Sequence, residues 1–202
     1  MDVFSLASII GTVAFAFSGF LVGVHKKLDV MGVFILSMLT ANGGGALRDV
    51  LANKTPAVLT DLTGFYMVLG VCVVSYVFRL GRYATVEKSR VFVLSDALGL
   101  VAFSLTGAIV GIEAGLTIFG VMVLAFLTAA GGGIIRDLMV NEVPAILSSD
   151  FYGTVALVVG FSIYWLEYAQ LRTEEATLAV FVLALALRLL AYLRGWRLPH
   201  VK

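Results

Sequence analysis

The first half of this chain is written again in its second half. Gly11 to Leu59 aligns without a gap on Gly99 to Leu147 at an offset of 88 residues, with 23 identities in 49 positions. GTVAFAFSG pairs with GLVAFSLTG, and LTANGGGALRDVLANKTPAVL pairs with LTAAGGGIIRDLMVNEVPAIL. Composition decides what medium the doubled unit folds in. Of 202 residues, 60% are hydrophobic and 13% charged, against about 25% charged in a soluble domain. Apolar stretches long enough for about 30 Å of hydrocarbon are expected at Val3 to Val24, Leu28 to Ala52, Leu62 to Leu80, Arg90 to Ile112, Leu116 to Val140, Phe151 to Tyr168 and Ala176 to Leu193. The expected fold class is an all-α integral membrane protein with seven transmembrane helices. It forms a single membrane domain over 1–202, with a first repeat at 3–80, a second at 90–168, and a seventh helix at 176–193 outside the repeat. Each unit holds three spans. Three is odd, so the second unit enters the membrane from the opposite side, and the units become inverted repeats about a pseudo-two-fold axis in the membrane plane.

The flanking charges assign sidedness. Lys26, Lys27, Arg79, Arg82, Lys88, Arg90, Arg194, Arg197 and Lys202 fall on one side, and only Lys54 and Arg172 on the other. This bias places the N-terminus outside and the C-terminus in the cytoplasm of a multi-pass inner-membrane protein. The first stretch is too long for a signal-peptide core and is read as a retained helix. A net charge of +1 gives no footprint for nucleic acid. Cys72 is the single cysteine, which excludes an intramolecular disulfide and a cysteine zinc site. His25 and His200 have no metal spacing, and no H-E-x-x-H, G-x-S-x-G or Walker pattern occurs, so no enzyme activity, metal site or cofactor is expected.

Two features carry chemistry. Gly43, Gly44 and Gly45, and again Gly131, Gly132 and Gly133, fall in the second span of each unit. Three consecutive glycines cost a helix roughly 3 kcal/mol relative to alanine. They therefore predict a break that lines a pore, with the carbonyls of Thr40, Ala41, Thr128 and Ala129 offered transiently to K⁺ or Na⁺. The alternative is that the glycines only let helices pack closely. Arg48-Asp49 and Arg136-Asp137 follow at identical spacing, and such charges face protein or water, or else anchor the interface at span ends. Counting along the spans puts Arg48 toward the outer face and Arg136 toward the inner, so pairing of Arg48 with Asp137 is not expected. Adjacent residues on a helix do not face each other, so Arg48 and Asp49 are expected to find different partners. Asp96 replaces Ser8 of the first unit and is read as a cation ligand or as a partner for Arg188. Ser18, Thr106, Thr40 and Thr128 supply hydroxyls to the path or to their own backbone.

The doubled GGGxxRD segments, each followed by Asn and Pro-Ala, together with DALGLVAFSLTGA from Asp96 to Ala108 and the closing ALRLLAYLRGWRLP, resemble the prokaryotic relatives of the trimeric intracellular cation (TRIC) channels. That family is also called a glycine transporter family. The resemblance implies a homotrimer with one pore per protomer, lined by the second and fifth spans and permeable to K⁺ and less selectively to Na⁺. Membrane lipid is the other expected partner. The Lys-Glu-Val segment that eukaryotic members use toward phosphoinositide is absent. The residues by themselves leave a second function open, a secondary transporter of a small solute such as glycine, because inverted repeats serve channels and carriers alike.

Overall fold

The computed structural model describes residues 2–81, 89–148 and 151–196. Arg82, Lys88, Arg197 and Lys202, which contribute to the expected orientation, lie outside the described residues. Every regular element among the described residues is helical: α1 (Val3–His25), α2 (Val30–Leu51), α3 (Ala57–Thr60), α4 (Thr63–Val77), α5 (Arg90–Glu113), α6 (Ile118–Met139), α7 (Ala145–Ser148), α8 (Tyr152–Tyr168) and α9 (Glu174–Arg194). Five of these, α1, α2, α5, α6 and α9, are long and apolar enough to cross a membrane. The third expected span is shorter than its apolar run: α4 has 15 residues, about 22 Å at 1.5 Å per residue, and the turn after it passes through Arg79 at φ 52°, left-handed backbone that ends the helix. α8, with 17 residues, matches the sixth expected span but for Phe151, which takes φ 59° just before it.

The repeat is visible turn by turn. Asp29 Oδ1 accepts the amide of Gly32 at 2.7 Å, and its counterpart Thr117 Oγ1 accepts that of Gly120 at 3.3 Å, so the same N-cap opens α2 and α6. α1 ends with Lys27 at φ 56° and α5 with Gly115 at φ 69°. In each case the next amide reaches back across six residues, Leu28 to Gly23 and Leu116 to Gly111, both at 3.0 Å, the closure that satisfies orphan carbonyls at a helix end. Asn53 and Asn141 take φ 56° and 58° after α2 and α6.

α5 lies at the centre, buried from Val93 to Gly111 along most of its length. It packs against α1, α6, α8 and α9. The crossing of α1 with α5 is built from equivalent residues: Phe15 and Phe103 meet edge to face at 5.3 Å. A Cβ on Gly11 would come within 2.7 Å of the Phe103 ring, and one on Gly99 within 2.0 Å of the Phe15 ring. Each ring thus sits on the glycine facing it. α9 covers α8 and α5, whereas α4 carries only Val68 and Ser75 buried and leaves Tyr66, Tyr76 and Phe78 exposed.

Candidate functional site

The glycine triplets do not break their helices. α2 continues from Val30 to Leu51 and α6 from Ile118 to Met139 as single helices across Gly43–45 and Gly131–133. The expectation of a break is corrected by packing. A Cβ on Gly44 would lie 2.1 Å from the Thr128 carbonyl oxygen, and one on Gly132 would lie 2.0 Å from that of Thr40. The middle glycines therefore let the backbones of α2 and α6 touch, a gain that outweighs the helix propensity lost. The carbonyls of Thr40, Ala41, Thr128 and Ala129, where a transient cation is expected, lie on these continuous helices. These carbonyls remain in helical geometry, and those of Thr40 and Thr128 are covered by the facing glycine. The two threonine hydroxyls donate to Leu36 O and Leu124 O at 2.6 Å each.

Each arginine folds back onto the aspartate beside it. Arg48 donates from Nε and Nη2 to Asp49 Oδ1 at 2.9 and 2.7 Å, and Arg136 donates from Nε to Asp137 Oδ1 at 2.9 Å. Separate partners for Arg48 and Asp49 are therefore not found, because an arginine is long enough to curl around the helix, where shorter neighbours point apart. The other carboxylate oxygen ties the helix end to the short helix that follows. Asp49 Oδ2 accepts the amide of Ala57 at 2.9 Å, and Asp137 Oδ2 that of Ala145 at 2.8 Å. Arg48 does not pair with Asp137.

Beyond this shared frame the units differ. Arg136 Nη1 also donates to Asp96 Oδ1 at 2.8 Å and to Ser18 Oγ, with its guanidinium 4.9 Å from the Phe92 ring. Asp96 thus pairs with Arg136, because α5 packs directly on α6. Arg188 stacks on the Tyr152 ring at 4.9 Å. Around Arg48 the positions equivalent to Ser18 and Asp96 are Thr106 of the second unit and Ser8 of the first, and Thr106 donates to Phe103 O at 3.1 Å. Arg136 is 1% exposed and Arg48 9%. The buried cluster of Arg136, Arg188, Asp96 and Asp137 balances its charges, which a low-dielectric site requires.

A cavity of about 130 Å³ opens beside Arg48, lined among others by Ser8, Asn42, Asp49, Asp61 and Gly64. At about 30 Å³ per water molecule it holds roughly four. Asp61 accepts the amide and the hydroxyl of Thr63 at 2.9 and 2.7 Å. These bonds, the backbone one foremost, hold its carboxyl below the usual carboxylate range. The cavity residues Ser8, Asn42, Asp61 and Gly64, and Tyr152 opposite, were not among the expected site residues. Positions 61, 64 and 152 lie past the aligned block, and Ser8 and Asn42 become visible only as mismatches against Asp96 and Ala130.

Residues 5–80 and 93–168 both match the family described as Glycine transporter. The chain is 33% identical to the membrane protein YvgT of Bacillus subtilis over 96% of its own length and 95% of that protein's. It is 30% identical to the inner membrane protein YadS of Escherichia coli over 95% and 92%. Among solved structures it resembles a chain from work on conductance through TRIC cation channels, at 34% identity and TM-score 0.86, over 98% of this chain and 97% of that one. It resembles the TRIC trimeric intracellular cation channel orthologue from Rhodobacter sphaeroides at 30% identity and TM-score 0.86, over 96% and 99%.

Proposed function

Since the chain belongs to the TRIC family, which the glycine transporter family description also covers, we propose that it is a membrane cation channel that passes K⁺ and, less selectively, Na⁺. The observation that carries this reading is the correspondence with TRIC cation channels over almost the full length of both chains. The assembly in this reading is a trimer, as in the trimeric channel orthologue it resembles, with one path per protomer. The water-sized polar cavity at Arg48 supports a path that begins there, runs beside the α2–α6 crossing and ends at the Arg136 cluster. Arg48 is neutralised by Asp49, which leaves Asp61, bonded among the described residues within its own turn, to favour cations at the cavity. Gly43 to Gly45 and Gly131 to Gly133 serve the path by bringing α2 and α6 together beside it. Ser18, Asp96 and Asp137 hold Arg136, and Thr40, Thr128 and Thr106 spend their hydroxyls on their own helices.

The proposed architecture is seven spans in two inverted units, with the N-terminus outside. Two surface ion pairs support the inversion. Lys26 pairs with Glu142, and Lys54 with Glu113 at 3.3 Å. Each joins one unit to the other across loops that inversion puts on the same side. Single-channel recording of the purified protein in planar bilayers with KCl tests the function. Unitary current steps are expected; saturable flux without steps would replace the channel by a carrier.

A further inference from the structure

The two units differ most where their sequences should match. At the 88-residue offset, Ser8 corresponds to Asp96, Gly45 to Gly133 and Gly64 to Tyr152. Ser8, Gly45 and Gly64 line the open cavity of the first unit. A Cβ on Gly45 would meet nothing closer than Arg48 Nη2 at 3.9 Å, whereas one on Gly133 would meet Tyr152 Oη at 3.2 Å. The phenol stands in the space that glycine leaves open in the first unit. Tyr152 is 2% exposed. Its ring is held by the guanidinium of Arg188, which comes from α9, the helix outside the repeat. Its hydroxyl is buried beside the Asp96 carboxyl and makes no hydrogen bond of good geometry among the described residues. Cation–π attraction and packing hold the ring in, while an unsatisfied hydroxyl weakens that hold.

We propose that Tyr152, clamped by Arg188, is a plug that closes the second unit's end of the conducting path, and that the path opens when the ring leaves this space. The inference rests on the cation-channel reading and assigns α9 a role: it carries the clamp. Removing the ring should favour the open state, whereas removing only the hydroxyl should favour the closed one. A folding defect would not produce these opposite signs.

The test uses the full chain in planar bilayers with KCl, each variant first matched to wild type in detergent gel filtration. Tyr152→Gly should raise open probability by about tenfold, a shift of only about 1.4 kcal/mol. Tyr152→Phe should lower it. Arg188→Gln should raise it, and Arg188→Lys should restore wild-type behaviour. A second readout needs no current. In a Cys72→Ser background, Asn42→Cys at the cavity should react with a small charged methanethiosulfonate. Its counterpart Ala130→Cys should not react until Tyr152→Gly is added. Unchanged gating in the Tyr152 variants, or reaction at position 130 indifferent to residue 152, overturns the plug. If no variant passes current yet reactivity at 130 follows residue 152, the plug stands and the channel reading falls.

Discussion

Asp61 and Arg136 put charge to opposite uses, one at the lining of a wet cavity and one deep in protein. Because the Thr63 hydrogen bonds lower the Asp61 carboxyl from its ordinary value of 3.8, its charge persists above that pH and is lost only as pH falls below it. K⁺ conductance that depends on Asp61 should therefore be flat from pH 7 down to about pH 4. Asp61→Asn should reduce unitary conductance in 0.1 M KCl and have little effect in 1 M, where the screening length shrinks to about 3 Å; equal loss at both concentrations would mean that Asp61 acts through structure. At the buried end, Asp96→Asn leaves the Arg136 guanidinium with one carboxylate in place of two. It should lower stability by about 3 kcal/mol, read as an earlier unfolding midpoint in detergent. The doubled Arg-Asp motif announced Arg136 in the sequence, whereas Asp61 lies past the aligned block. Their partners were not legible, because intrahelical spacing says nothing of how far an arginine curls back, and the partner of Asp96 depends on which helix α5 lies against.

At the level of the helix, the glycine triplets show propensity and packing pulling in different directions. Counting helix propensity alone predicts a break, since each glycine costs about 1 kcal/mol relative to alanine. The contact between α2 and α6 tips the balance back toward a continuous helix, and such a contact is not written within either segment. The three glycines are also unequal. Gly44→Ala or Gly132→Ala would push a methyl into a backbone carbonyl and should cost at least about 2 kcal/mol, with loss of folded protein during purification. Gly45→Ala makes only an ordinary contact with Arg48 Nη2 at 3.9 Å and should be neutral or stabilising by up to about 1 kcal/mol. Thermal unfolding in detergent, followed by circular dichroism, checks the contrast; equal effects at 44 and 45 would detach the triplet from the crossing. The longer spans were legible from their apolar runs. The end of α4 was not, because the left-handed turn at Arg79 follows residues as apolar as the helix itself.

For the molecule as a whole, the repeat in the sequence made the paired architecture legible, while the asymmetry between its units needed coordinates. The inversion can be tested by chemistry at the surface ion pairs. In a Cys72→Ser background, the double variant Lys54→Cys with Glu113→Cys should cross-link with a membrane-impermeant bifunctional reagent added outside intact cells. Lys26→Cys with Glu142→Cys should cross-link only after permeabilisation. Reaction of both pairs from one side would rule out inverted units. The signs of these pairs carry a further meaning. Position 54 is lysine where its counterpart, 142, is glutamate. Glu113 corresponds to His25, next to Lys26. Two copies of the first unit set antiparallel would thus bring Lys54 against His25 and Lys26, and two copies of the second would bring Glu142 against Glu113. Each half repels its own twin and attracts its sibling. Severed in the 82–88 segment and coexpressed, the halves should sort into mixed pairs, each recognising the other in preference to its own kind.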